Sequence, residues 1–178
     1  MLDSLRDETI RKVRQNLYGY AVALTRDTDQ AADLLQDCML RTMSSSRLPT
    51  DERALRSWLF SVMRNLWIDR LRAQRRRKAA HDDLCAERDA SPATPHEDVV
   101  VNRIAVRQAF LQLSSDHRDV LALVDIGGFS YEETASLLDV PRGTVMSRVS
   151  RARLALAQML SESQVVPFTR ASKGARND

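Results

Sequence analysis

Ile10, Val13, Leu17, Ala21 and Leu24 recur at intervals of three and four, one apolar face of a helix that stops before the polar run Arg26-Asp27-Thr28-Asp29. A second helix starts near Thr28 or Asp29, with Ala31, Leu34, Leu35, Cys38, Met39 and Met43 on its apolar side and Asp33, Gln36 and Asp37 more exposed. Cys38 reads as a small buried hydrophobe rather than a reactive thiol. The third helix runs from the N-cap Asp51 towards Lys78, its first stripe formed by Leu55, Trp58, Leu59, Val62 and Leu66. Phe60, Trp67 and Leu71 sit on nearly the opposite face. A helix with two apolar faces is either central to its bundle or keeps one face for a partner.

The second half of the chain is helical by the same test. Val99 to Leu113 and Asp116 to Ile126 show the 3.6-residue period, and Gly127-Gly128 supply the backbone freedom to end the latter. Ser130-Tyr131-Glu132-Glu133 then fits a capping box, in which the serine hydroxyl and the glutamate carboxylate satisfy each other's backbone N–H. Ala135, Leu137 and Leu138 follow. The turn Asp139-Val140-Pro141 precedes a longer helix with Pro141 near its first position, so the order is that of a helix-turn-helix. In the longer helix Val145, Val149, Ala152, Leu156 and Leu160 form the inward stripe. Thr144, Ser147, Arg148 and Arg151 gather on another side, flanked by Arg142 and Arg153. Hydroxyls and guanidinium groups near the start of such a helix suit base edges in a major groove, while an ordinary helical hairpin with an Arg-rich solvated face is the plainer alternative.

Composition supports an all-α chain. Five Gly and five Pro in 178 residues are too few for a turn-rich sandwich or barrel, and 43% hydrophobic residues suffice for a core. Two cysteines are too few for a disulfide framework, the N-terminus lacks the apolar core of a signal peptide, and no apolar run approaches the roughly 20 residues of a membrane span. A cytoplasmic address and no membrane insertion are expected. The net charge of +3 names no partner, but its distribution is uneven. Residues 1–80 hold 16 basic and 10 acidic residues, whereas 81–104 hold 2 and 6 around Ser91, Pro92, Thr94 and Pro95. That is a linker composition, which divides the chain into a domain at 1–80, an acidic linker at 81–98, a second domain at 99–161 and a mobile tail at 162–178. Of the 27 basic residues 24 are Arg, a preference that favours bidentate phosphate and base contacts or reflects codon bias.

Candidate chemistry concentrates at the end of the third helix. Arg64, Asn65, Asp69, Arg70 and Arg72 lead into the block Arg75-Arg76-Arg77-Lys78. This is either a solvated helix end, where cations also suit the dipole, or a nucleic-acid surface with cations for phosphate and flat side chains for unstacked bases. No phosphate-binding glycine loop, dinucleotide fingerprint or H-E-x-x-H occurs, and His81, His96 and His117 form no acid-base constellation. An enzyme reading therefore has no site, and no cofactor is expected. His81, Cys85 and His96 fall short of a zinc site, because the only other thiol, Cys38, is distant in sequence.

Three stretches carry a resemblance: Ala32-Asp-Leu-Leu-Gln-Asp37; Leu55-Arg-Ser-Trp-Leu-Phe60 with Arg64-Asn-Leu66; and Gly128-Phe-Ser-Tyr-Glu-Glu-Thr-Ala135 with Pro141-Arg-Gly-Thr-Val-Met-Ser-Arg148. In this order, over roughly residues 8 to 160, the chain resembles the extracytoplasmic-function (ECF) sigma factors of bacterial RNA polymerase. The resemblance implies two small helical domains joined by a flexible linker, a sigma-two-like bundle followed by a sigma-four-like helix-turn-helix.

By that resemblance Asp33, Leu35, Gln36 and Asp37 contact the clamp helices of core polymerase. Asn65 reads a base flipped from the melted non-template strand of the minus-10 element, with Asp69, Arg70, Arg72, Arg75, Arg76, Arg77 and Lys78 nearby. An Asn amide can both donate to and accept from one base edge, which suits that role. Arg142, Thr144, Met146, Ser147, Arg148, Ser150 and Arg151 face the duplex minus-35 element. Met146 stands where many members carry Lys or Arg, and Ser150 where an aromatic or His is frequent, so the promoter sequence does not carry over. The implied function is promoter-specific transcription initiation, with an anti-sigma factor holding the protein until a stress or envelope signal. A sigma-like adaptor that binds an anti-sigma factor without touching DNA is the alternative. Such adaptors pair the sigma-like part with a receiver domain, for which 178 residues leave no room.

Overall fold

The computed structural model describes residues 2–80 and 98–163, with side chains over 8–79 and 104–161. Regular structure among them is entirely helical: α1 (Leu2–Thr25), α2 (Thr28–Met43), α3 (Glu52–Ala80), α4 (Asp98–Gln112), α5 (Ser115–Leu121), a π-helical turn (Ala122–Ile126), α6 (Tyr131–Leu138) and α7 (Arg142–Ser163). The expected acidic linker, with His81, Cys85 and His96, and the tail beyond Ser163 lie outside the described residues.

Local rules account for the element ends. Arg26 takes a left-handed conformation (φ 63°) to close α1, and the Asp27 carboxylate then accepts the N–H groups of Asp29 and Gln30 at 2.9 and 2.8 Å to open α2. Asp51 caps α3 by accepting the Ala54 N–H at 2.8 Å. The capping box of α6 is complete, with the Ser130 hydroxyl accepting from the Glu133 N–H at 3.2 Å and the Glu133 carboxylate accepting from the Ser130 N–H at 2.7 Å. Asp139 closes α6 in the left-handed region (φ 54°).

Two details differ from the periodicity. Met43 does not join the apolar side of α2 and is 83% exposed. It lies five positions from the buried Cys38, hence about 140° round the helix from it. The helix expected over 116–126 is regular only to Leu121, and its last turn widens to π geometry, closed by the Gly127 N–H on the Ala122 carbonyl at 2.7 Å. A Cβ on Gly127 would lie 2.6 Å from the Leu123 carbonyl oxygen, so glycine is required there. Gly128 follows at φ 69°.

The two halves share one core. Leu17, Tyr20, Leu34, Leu55, Leu59, Phe60 and Met63 are continuous with Leu113, Val120, Leu121, Leu123, Phe129, Val145 and Val149. The second apolar face of α3 therefore has its partner within the chain. Phe60 meets the edge of Phe129 with ring centroids 4.9 Å apart, and Tyr20 stacks obliquely on Phe60 at 5.2 Å. Where α1 crosses the π turn, Gly19 lies so close to Ile126 that an added Cβ would fall 2.9 Å from its Cγ2.

Candidate nucleic-acid and polymerase interface

The helix-turn-helix is set by the inner stripe of α7, where Val145, Val149 and Ala152 are buried and Leu156 and Leu160 half-buried. The other side of α7 is consequently outermost. Met146, Ser150 and Arg151 are exposed, and Thr144 is half-buried. The Ser147 hydroxyl donates to the Thr144 carbonyl at 3.0 Å, so its hydrogen is committed within the helix. Three cations of this helix are held by carboxylates: Arg142 by Glu132 at 2.7 Å, Arg148 by Asp116 at 2.8 Å and Arg153 by Asp125 at 2.7 Å. Arg151 makes no ion pair among the described residues.

On α3, Asn65 and Asp69 are exposed and Arg72 pairs with Asp69 at 3.5 Å. Arg75, Arg76, Arg77 and Lys78 all face solvent without an ion pair among the described residues, the arrangement that releases most counterions when phosphate arrives. Arg70 is drawn back across the bundle to Asp37 on α2, at 2.5 Å. This pair joins a residue expected at DNA to one expected at polymerase, a link absent from either motif.

Asp33 and Gln36 are exposed on α2, whereas Leu35 is 8% exposed and contributes mainly to the core. Its visible edge lines an open groove of about 720 Å³ between α1 and α2, with Gln36, Met39, Tyr18, Arg11 and Arg14. The groove is apolar in its floor and cationic along α1. Cys38, buried on α2 against α3, is no nucleophile: its thiol donates to the Leu59 carbonyl at 3.6 Å, and burial pushes its pKa up to about 12.

Sequence reasoning missed the residues that join the halves. Asp119 on α5 accepts from the Tyr20 hydroxyl at 2.6 Å and pairs with Arg64 of α3 at 3.1 Å. Burial and the Asp119 carboxylate both push the Tyr20 hydroxyl well above its ordinary pKa, so it remains a donor. Arg118 is buried; its Nε donates to the Ala23 carbonyl in the last turn of α1 at 2.9 Å, and its Nη1 donates to the carbonyls of Leu111 and Leu113. One guanidinium thus caps the C-terminal ends of α1 and α4, where orphan carbonyls and the helix dipole favour a cation. Arg56 donates to the Gly127 carbonyl and lies 4.2 Å from the centre of the Phe129 ring. Arg53 pairs with Glu133 at 2.6 Å, and this pair, with the Ser130 N–H, lowers the Glu133 carboxyl to about 2.

Family models match both halves: Sigma-70 region 2 over residues 9–77 and Sigma-70 region 4 over residues 103–156. The ECF RNA polymerase sigma factor EcfG of Rhodopseudomonas palustris is 34% identical over 160 residues, covering 90% of this chain and 87% of the relative. The chain belongs to the ECF sigma factors of RNA polymerase. It is thus a transcription initiation factor with a sigma region 2 and a sigma region 4. SigM of Mycobacterium tuberculosis is 34% identical to this sigma factor over 154 residues, 86% of this chain and 76% of the relative. Among solved structures, the sigma factor RpoE of Bartonella quintana in complex with the anti-sigma factor NepR is similar at a TM-score of 0.68 and 29% identity, covering 87% of this chain and 96% of that one. CnrH in complex with the cytosolic domain of CnrY shares the fold at a TM-score of 0.61 and 21% identity, covering 90% of each chain. No helix among the described residues of the sigma factor is long and apolar enough to cross a membrane.

Proposed function

We propose that this sigma factor acts in the cytoplasm by binding rather than catalysis. Residues 1–80 dock on core RNA polymerase and open the minus-10 element, 81–98 join the domains, and 99–161 read the minus-35 element. Asp33, Gln36, Asp37 and the exposed edge of Leu35 supply the polymerase contact. Asn65 takes the flipped base, while Asp69, Arg70, Arg72 and Arg75 to Lys78 line the path of the melted strand. Arg142, Thr144, Met146, Ser147, Arg148, Ser150 and Arg151 meet duplex DNA. An anti-sigma factor is the expected negative regulator, since the similar Bartonella quintana protein was solved with one.

The observation that carries this reading is the pairing, in one chain, of an exposed Asn followed on α3 by four cations without an ion pair among the described residues, with a capped helix-turn-helix whose outer face bears Met146, Ser150 and Arg151. Transcription in vitro with core polymerase on fragmented genomic DNA tests it. Discrete transcripts that depend on the protein are expected. Binding to core without transcripts would favour the adaptor that does not touch DNA, or a requirement for an activator. Asn65→Ala should then impair promoter opening while leaving closed-duplex binding intact; equal loss in both assays refutes its role.

A further inference from the structure

Of the seven α7 side chains assigned to the duplex, Met146 alone carries no hydrogen-bond donor, and yet it is 47% exposed on the outer face. Filling the core is therefore not its use. The seam between the halves runs through Asp119, Gly127, Phe129 and Glu133 and leaves that face open. Arg142, one turn before Met146, and Arg153, two turns after it, are drawn to Glu132 and Asp125, each at 2.7 Å. Gly143, three positions before Met146, has no atom within 4 Å of where a Cβ would stand, so the surface beside the thioether is open there as well.

An unbranched thioether is flexible and apolar, and its sulfur is only a weak acceptor. Against a G·C pair it would take guanine N7 and O6 and the cytosine amino group out of water without replacing a hydrogen bond, which costs free energy. The apolar feature that the major groove does offer is the C5 methyl of thymine. Ser147 leans the same way. Its hydroxyl hydrogen goes to the Thr144 carbonyl at 3.0 Å, so towards a base it can accept from an amino group but cannot donate to guanine. Two consecutive residues thus offer guanine no donor, whereas an A·T pair presents both a methyl and an amino group on its major-groove edge.

We infer that Met146 is a specificity-determining residue that packs on the methyl group of a thymine in the minus-35 element. The inference rests on the proposed role of α7 in duplex recognition and adds the base that one of its positions selects. Covering a single methyl group corresponds to about a 3- to 5-fold preference.

The test uses holoenzyme, core polymerase with the full chain, on a promoter fragment recovered by the transcription experiment. Each thymine of the upstream element, on either strand, is replaced in turn by uracil, which removes the methyl group and leaves the hydrogen-bonding edge unchanged. One such replacement should weaken binding about 3- to 5-fold with the parent chain. Met146→Ala should abolish that sensitivity, and Met146→Leu, still apolar, should keep it. Met146→Arg brings a pair of donors to the same place and should shift the preferred base there to guanine. The side chain is half exposed, so these substitutions spare the core, which equal urea midpoints check. A parent chain indifferent to every thymine-to-uracil replacement, or a sensitivity that survives Met146→Ala, overturns the inference and leaves the proposed function standing. If scrambling the whole upstream element leaves binding unchanged, α7 does not read the duplex and both fail.

Discussion

Two sets of arginines do different work in this sigma factor. At the seam, Arg53, Arg56, Arg64 and Arg118 each have a named acceptor on a distant part of the chain. On the outer surfaces, Arg75, Arg76, Arg77 and Arg151 have none among the described residues. The residue type is the same, and 24 of the 27 basic positions use it. What separates the sets is whether the acceptor is built in. A satisfied guanidinium contributes to the fold and must be released before it can meet a ligand; an unsatisfied one is ready for phosphate, at the cost only of its counterions.

That contrast can be broken most severely at Arg118. Arg118→Ala removes a buried cation from three backbone carbonyls at the ends of α1 and α4, and the orphaned acceptors should cost about 2–4 kcal/mol of unfolding free energy in urea denaturation. A decrease of less than about 0.5 kcal/mol would move Arg118 into the surface class.

Next in size is Arg151→Ala, which should leave the urea midpoint alone. It should weaken binding of duplex carrying the minus-35 element by about 1–3 kcal/mol if Arg151 makes a bidentate base contact, or reduce the salt slope by about 1 if it touches phosphate. Unchanged affinity and slope remove it from the interface. Replacing Arg75, Arg76, Arg77 and Lys78 by Gln sharpens the comparison further. Affinity for melted promoter DNA should become less salt-dependent, by roughly 0.7 in slope for each phosphate no longer neutralised, with stability close to that of the parent.

The smallest effect concerns Glu133, whose carboxyl is lowered to about 2, first by Arg53 and then by the Ser130 N–H. A depressed carboxylate stabilises the folded state fully above its ordinary value of 4.5, and that contribution disappears as pH falls from there towards 2. Because Arg53 is largely exposed, about 1 kcal/mol or less is at stake. Glu133→Gln should flatten the acid limb of the stability curve by that amount, and an unaltered limb would show that the pair contributes nothing.

Much of the fold was legible along the chain because its signals are local. The capping box at Ser130 and Glu133, the Asp51 cap and the stripe of Val145, Val149 and Ala152 each depend on residues a few positions apart, and all are in place. The candidate DNA face of α7 follows from the same arithmetic, since the inner stripe determines which residues lie outside. The failures are also local in origin. Met43 has the right polarity but the wrong angle, and the π turn before Gly127 has no periodic signature that separates it from one more turn of α-helix. Leu35 shows what a motif leaves out, since only the packed structure reveals that most of its surface lies in the core and a single edge stays open.

Short-range patterns were enough for the helices among the described residues and most of the inward faces of α1, α2, α3 and α7, the helix-turn-helix, the cation block on α3 and the likeness to ECF sigma factors. It took the folded chain to place Phe60 against Phe129, to have Arg64 and Tyr20 share Asp119, and to close the two halves on one another. The hydrogen-bonded partners across that seam stand 55 to 99 positions apart, and several acceptors are backbone carbonyls that every residue carries. A carbonyl leaves no mark in a sequence, and only the three-dimensional arrangement shows which guanidinium reaches it.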